Sequence, residues 1–575
     1  MDYAKWVRQY DTVTPEARKQ VARRVAAMKE QPLISVLMPT YNPDPAWLRE
    51  AIESVRAQIY PHWELCIADD ASTSAEVRDI LKSYSERDPR IKVVFRPENG
   101  HISASSNSAL ALATGPWLAL MDHDDLLPEH ALFSVADCIA THPDVRLIYS
   151  DEDKIDDSGR RFDPYFKPDW NVDLFRSQNM FSHLGVLATD LARAVGGFRV
   201  GLEGSQDWDL VLRCMERVEP RQIRHVPKVL YHWRVHAAST AGSMSAKPYA
   251  AVAGERALNE HFARTAVDAS AEHVGIGYRV RYALPDNPPL VSLIITTRNA
   301  AKRLRRCVNA IREQTTYPRY EVIVVDNGSN GAAALACLED LGQEPNIRVV
   351  RHERTSNRAT LNNAAVELAH GEVVVLLGDD VEVMAPDWLA EMASLALQPG
   401  VGAVGARLWY PGMALNHGGV ILGVGDVAGH SHRNMPIGRE GYCGRAGLIQ
   451  SLSAVSGTCL ASRKTLYQQM GGLDAIHLQE AFADVDFCLR LREAGLRSLW
   501  TPYAELIRHA SVGWARMLSP KARKRHRQDA AYMHGRWGAA LQNDPAYNPN
   551  LTLQVEDFSY AWPPRVPSGT PAAEA

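Results

Sequence analysis

The sequence contains no apolar run long enough to span a bilayer, and its amino terminus lacks the charged-then-apolar order of a secretory signal. A cytoplasmic chain is therefore expected. Cysteine is scarce and scattered: eight in 575 residues, with no Cys-x-x-Cys and no histidine-rich cluster nearby. That argues against a zinc site and predicts reduced, mostly buried thiols. Excess charge of one sign is missing too; the net charge is −4 with 23% charged residues, so nothing attracts nucleic acid overall. No Gly-x-Gly-x-x-Gly follows any strand-like run, which removes the dinucleotide-dependent dehydrogenases. What is present is ordinary for a globular chain, 46% hydrophobic, at a length that calls for two large domains or three smaller ones.

One stretch stands out. Trp117 to Leu127 is an apolar run that ends in Asp122, Asp124 and Asp125, three carboxylates within four positions. The run reads as a buried strand and the acids as the loop at its carboxyl end. Like charges packed this closely call for a cation among them, and magnesium or manganese would take carboxylate oxygens, water and phosphate oxygens. An isolated Asp-x-Asp is more often a solvated turn, so its surroundings decide.

Those surroundings alternate. Residues 1–31 carry a helical pattern, taken as an extension ended by Pro32. Strands follow at Leu33–Met38, Trp63–Ala68 and Ile91–Phe95, with helices over Trp47–Gln58, 75–86 and Ser103–Ala113. Such alternation predicts an α/β fold with a mostly parallel, Rossmann-like sheet, whose ligands sit beyond the carboxyl ends of the strands. Asn42, Asp69, Asp70, Asp122 and Asp124 all fall there.

The chain then repeats itself. Asn299 lies 257 positions after Asn42 and Asp326 lies 257 after Asp69, while Asn363 follows Asn107, and Asp380 follows Asp124, by 256. A period this long means a duplicated domain rather than a solenoid. The expected boundaries are 1–31 for the extension, 32–240 for the first domain, 241–288 for a helical segment and linker, 289–515 for the second domain and 516–575 for a carboxyl-terminal helix and tail.

Each copy resembles the inverting family 2 glycosyltransferases with the GT-A fold. The likeness rests on strands ending in Tyr41-Asn42 or Arg298-Asn299 and in Asp69-Asp70 or Asp326-Asn327, on the acidic cluster, and on Gly196-Gly197-Phe198 or Gly471-Gly472-Leu473. It continues through Asp207-Trp208-Asp209-Leu210 and Asp484-Val485-Asp486-Phe487. The tandem arrangement and the tail Asp544 to Leu551 are similar to bacterial enzymes of O-antigen and surface polysaccharide synthesis.

The resemblance implies a bifunctional transferase moving sugars from UDP- or dTDP-linked donors to a growing glycan, with one active domain and one silent sugar-binding copy as the alternative. It assigns the general bases to Asp207 and Asp484, and the neighbouring Asp209 and Asp486 are expected to be structural helix caps. It places the donor at Pro39, Tyr41, Asn42, Asp69 and Asp122, and at Thr296, Arg298, Asn299, Asp326 and Asp379 in the second copy. The expected ligands of Mg2+ or Mn2+ are Asp122, Asp124 and His236, then Asp380 and His509; Gly378 stands where the second copy should carry its first aspartate. A carboxylate only accepts hydrogen bonds, so Asp69 and Asp326 suit the N3–H of uracil or thymine. The basic run Lys521 to Arg527 is either a solvated helix face or a contact for a polyprenyl-diphosphate acceptor or anionic inner-membrane lipid. Residues after Trp562 are expected to be disordered.

Overall fold

Runs of Val, Ile and Leu with no polar alternation can only be strands covered on both faces, and they form the centre of each half. The computed structural model describes residues 2–236, 248–352, 357–509 and 519–565. In the first half β1 (Ile34–Thr40), β2 (Trp63–Asp69), β3 (Ile91–Phe95) and β4 (Trp117–Leu120) are parallel. Beyond β4 the sheet changes direction through β5 (Leu147–Ile155), β6 (Arg161–Tyr165), β7 (Gly185–Ala188) and β8 (Ile223–Arg234). The order is β3-β2-β1-β4-β7-β5-β6, with β7 antiparallel to both β4 and β5, and β8 parallel to β5.

Where a linker was expected, the helix Pro248–Arg264 is followed by an antiparallel pair, β9 (Ala269–His273) and β10 (Tyr278–Tyr282). Ala271, Tyr278 and Val280 of this pair are buried in the core of the first half, so the segment is built into that half. Residues 241–247 lie outside the described set.

The second half repeats the plan. Strands β11 (Val291–Thr297), β12 (Tyr320–Asn327), β13 (Ile347–His352) and β14 (Val373–Gly378) are parallel. After β15 (Val381–Val383) come β16 (Val401–Trp409), the short β17 (Leu415–His417), β18 (Val420–Leu422), β19 (Ala428–His430) and β20 (Gln450–Leu452), then β21 (Cys459–Arg463) and β22 (Arg497–Arg508). The order β13-β12-β11-β14-β21-β16-β22-β15 matches the first sheet position by position through β16, and β22 lies parallel to β16 as β8 does to β5.

The duplication extends to the supports. Gly197 and Gly472 sit at φ +67° and +66°, with Asn107 and Asn363 clamping the next residue through its N–H and C=O. A Cβ at either glycine would lie about 2.6 Å or less from the clamping Oδ1, which is why the turn needs Gly. Asp209 and Asp486, both fully buried, brace Arg213 and Arg490, whose guanidinium groups donate to the carbonyls of the same turns. They are struts.

The halves meet through Asp173, which pairs with Arg497 at 2.8 Å, and through Asn171, which exchanges hydrogen bonds with the backbone of Ser451. The tail lies across both. Asp544 accepts from Leu422 N in the second half, while Asn548 and Asn550 donate to Asp151 in the first. Tyr3 and Trp6 of the amino-terminal helix Tyr3–Tyr10 join Phe166, Ile421, Tyr547 and Phe558 in a separate small core. Arg565 donates to the carbonyls of Asn548 and Leu551, so the ordered chain runs past Trp562; residues 566–575 lie outside the described set.

Candidate functional site

At the carboxyl ends of β1 and β2, Asn42 adopts φ 42° and Asn299 adopts φ 47°, a left-handed conformation that asparagine tolerates. Their backbone N–H groups donate to Ser72 and Ser329, and their side-chain carbonyls accept from Thr73 N and from Asn330 N and Gly331 N. Each asparagine thus ties the first loop to the second. Asp69 is fully buried; one oxygen accepts from Ser72 N at 3.2 Å and Oδ1 has no hydrogen-bond partner among the described residues. Asp326 uses both oxygens on Ser329 N and also meets Arg351 at 3.2 Å. The neighbouring Asp70 is committed to Arg96 and Gly100 N.

In the first half the acidic loop is crowded. Ligand atoms of Asp122, Asp125 and His183 lie within 4.8 Å of one another, and Asp124 Oδ2 is 2.9 Å from His236 Nε2. Asp125 is fully enclosed, accepting from Tyr231 OH at 2.6 Å and Arg234 N at 2.7 Å. Burial pushes the Asp125 carboxyl well up, and Asp124 and Asp122 push it further. Burial also raises Asp122, where the opposing pull of His183 is countered by Asp124 and Asp207. Carboxylates and imidazole gathered where anionic charge is disfavoured form a donor set that fits a hard divalent cation.

His183 was not legible in the sequence. It lies outside every motif, in the turn before β7, and is placed by stacking on Tyr231 with ring centroids 4.4 Å apart. His232, four residues before His236 in the chain, is held by Asp153 at 2.5 Å.

Asp207 is the second residue of the helix Gln206–Met215, where the helix dipole favours a carboxylate. Its Oδ2 accepts from Asn179 Nδ2 at 2.9 Å. It lines a cleft of about 980 Å³ together with Pro39, Asp122, Glu152, His183 and Trp233. In that wall, burial works against ionising Glu152, yet Lys167, His183 and Ser182 hold its carboxyl below the usual range. Tyr41 is exposed on the surface nearby in sequence.

The second half arranges matching residues differently. Asp484 opens the helix Ala483–Glu493 and accepts from Gly457 N at 2.7 Å and its neighbour Val485 N at 3.0 Å. It lines a cleft of about 490 Å³ with Arg358, Arg508 and His526. Asp379 accepts from Thr297 Oγ1 at 2.8 Å and Arg303 at 3.0 Å. Asp380 faces Arg508 at 3.5 Å, and His509 turns to Glu382 at 2.6 Å. Thr296 pairs with Gly378 across β11 and β14, and Arg298 follows with its Nε unpartnered among the described residues. The basic run lies on the helix Pro520–Gln542, with Lys521, Arg523, Lys524 and Arg527 exposed. Among the described residues, no helix is long and apolar enough to cross a membrane.

Comparison with known proteins agrees with this duplication. The chain is 48% identical over 98% of its length to an uncharacterized protein of Sinorhizobium fredii, of which it covers 62%. It is 34% identical over 97% of its length to the O-antigen biosynthesis protein RfbC of Myxococcus xanthus, covering 43% of that protein. The chain thus spans less than two thirds of these relatives. Among solved structures, S. aureus TarS 1-349 in complex with UDP-GlcNAc matches with a TM-score of 0.32 at 19% identity, over 40% of this chain and 73% of that one. Residues 35–196 and 292–446, more than half of the sequence and one stretch in each half, match the description Glycosyl transferase family 2, and the chain belongs to that family.

Proposed function

We propose that the first half transfers a sugar, with inversion, from a UDP- or dTDP-linked donor to a surface glycan acceptor, and that the second half performs a second transfer on the same acceptor. The observation that carries this reading is the shared cleft in which Asp207 and Asp122 face the same space, beyond the carboxyl ends of the strands. Asp207 is the proton acceptor: the acceptor hydroxyl loses its proton to this carboxylate as its oxygen attacks the anomeric carbon from the face opposite the diphosphate. Asn179 fixes the carboxylate's orientation. Asp69 is suited to a nucleobase N–H because its Oδ1 is a buried acceptor still lacking a donor.

Asp122, gathered with Asp125 and His183, and the paired Asp124 and His236 would hold Mg2+ or Mn2+, which when bound supplies counter-charge to the departing diphosphate. The test is release of nucleoside diphosphate from a panel of nucleotide sugars. Activity should need Mg2+ or Mn2+ and fall by roughly 10²-fold or more in Asp124→Asn, the scale of removing one electrostatic stabiliser. Full transfer by the first half in excess chelator would exclude the scheme. The exposed basic helix face is proposed to touch a polyprenyl-diphosphate acceptor or the cytoplasmic leaflet of the inner membrane.

A second reading is that the second half is a silent sugar-binding copy. It is favoured by Gly378 and by the arginines paired with Asp379 and Asp380.

A further inference from the structure

The two halves share a sheet but not a charge balance. In the first, Asp122 and Asp207 line the cleft, Asp124 and Asp125 crowd behind Asp122, and His183 and His123 are the cationic neighbours of Asp122. In the second, three arginines enter the equivalent space. Arg303 holds Asp379 at 3.0 Å and Arg508 faces Asp380 at 3.5 Å. Arg358 lines the same cleft as Asp484 and Arg508. By the 257 and 256 offsets that align the copies, Arg303 and Arg358 stand where the first half has Ala46 and Ile102, so neither of these two is inherited from a shared architecture.

The second half does not fit a divalent cation. Gly378 removes one carboxylate, and a Cβ there would lie 2.6 Å from Asp380 Oδ1, which has folded into the space. Asp379 is spent on Thr297 and Arg303, and His509 on Glu382. Among the described residues, the one cluster of three ligand-type side chains is Asp122, Asp125 and His183, in the first half.

Arg358 is the unspent group. Its side chain is exposed to water within the cleft, and among the described residues it has no ion-pair or hydrogen-bond partner. Its setting in the cleft lowers its pKa, and the charges that act on it after that are Asp380, Asp379, Arg508 and Asp484, those of the candidate site itself. A guanidinium fork presents paired N–H donors that match the oxygens of a diphosphate.

We infer that the second half binds the diphosphate of a nucleotide donor on Arg358 and Arg508 in place of a divalent cation, so that the protein carries one metal-dependent and one metal-independent donor site. This rests on the reading of the second half as a donor site. Arg358 supplies a positive charge that no carboxylate among the described residues pairs with, and Arg508 adds a second fork that it shares with Asp380.

The test uses the full chain carrying Asp69→Ala and Asp124→Asn, which disable the first site, titrated calorimetrically with UDP, dTDP and GDP in EDTA and in Mn2+. One nucleoside diphosphate should bind once per chain with a Kd that differs by less than about threefold between the two conditions. Adding Arg358→Ala should weaken it by about tenfold or more, the effect of one lost charge-assisted contact, and Arg358→Lys should weaken it less because the charge remains. Since Arg358 is exposed, these variants should keep the native circular dichroism. Independently, Mn2+ electron paramagnetic resonance on the unmodified chain should count one ion per chain, lost in Asp124→Asn. Nucleotide binding that appears only with Mn2+, or a second Mn2+ that survives Asp124→Asn, would overturn the inference while leaving a donor site in the second half. Failure of all three nucleotides in both conditions would overturn the donor-site reading itself, and the inference with it.

Discussion

Replacing Asp207 by asparagine separates proton acceptance from every other task of that side chain. The bond from Asn179 Nδ2 is 2.9 Å long and can be accepted by the amide oxygen of the new residue, so the local geometry survives. The helix loses a carboxylate in its first turn, at a cost of about 0.3–1 kcal/mol. It also loses the repulsion that Asp207 exerts on Asp122, which works the other way. Stability should therefore change by less than about 1 kcal/mol, and melting by no more than roughly 2–4 °C. The rate, by contrast, should fall by roughly 10²–10⁴, which is about 3–5 kcal/mol of barrier.

Asp484→Asn differs because Asp484 accepts from two backbone N–H groups, Gly457 and Val485. An amide satisfies one and turns its NH2 on the other, which costs about 1–3 kcal/mol, so this variant should melt lower as well. The assay is mass analysis of products on a synthetic lipid-linked acceptor with both donors present, beside thermal melts. One variant should stop before the first sugar, and the other should accumulate a product one sugar longer than the acceptor. Retention of more than about a tenth of the rate by Asp207→Asn would refute its role as the base. A wild-type product made at the wild-type rate by Asp484→Asn would make the second half a silent module.

Three more perturbations follow from the same contacts. Asn548→Ala removes four hydrogen bonds, two of them to the buried Asp151 carboxylate, and should cost about 3 kcal/mol; an unchanged melt would show that the tail does not brace the first half. His225 is buried, which lowers its pKa, but Asp151 and Asp169 outweigh burial and raise it to about 9. Its folded value thus exceeds the unfolded one of about 6.5, so its contribution is complete below that pH and is lost as pH rises through 9; melting curves of His225→Gln and wild type should converge above it, and a constant gap would refute the linkage. Reversing Arg523 and Lys524 to glutamate should abolish binding to vesicles containing anionic lipid, and equal binding by both proteins would remove the helix from any membrane contact.

The parallel strands were legible because each is covered on both faces, so apolar runs such as Val291–Thr297 announce themselves. The middle of each sheet was harder. Strand β5 buries Asp151, Glu152 and Asp153, which no hydropathy pattern assigns to a buried strand, and their partners come from Asn548, Lys167 and His232. Residues β9 and β10 read as linker because short polar strands pair only once the first half exists to receive Tyr278 and Val280. At the site, the acids were visible because loops after strands carry their own motifs, and Gly378 was visible by alignment of the copies. Arg303 and Arg358 were not, since helix sequences do not reveal which way a long side chain reaches; nor was His183, positioned by a ring contact.

The placement of the tail bears on the order in which the protein can be made. Asp151 and its partner Asn548 are separated by 397 residues, so at roughly 5–20 residues per second the ribosome needs about 20–80 s between them. Through that interval the first half has a strand whose central carboxylate awaits two amides, and a helix whose Trp6 awaits the carbonyl of Ala561. The nascent first half is thus held short of its final packing until the second has emerged, because the residues that complete it, Asn548, Asn550 and Ala561, lie beyond that second half in the chain.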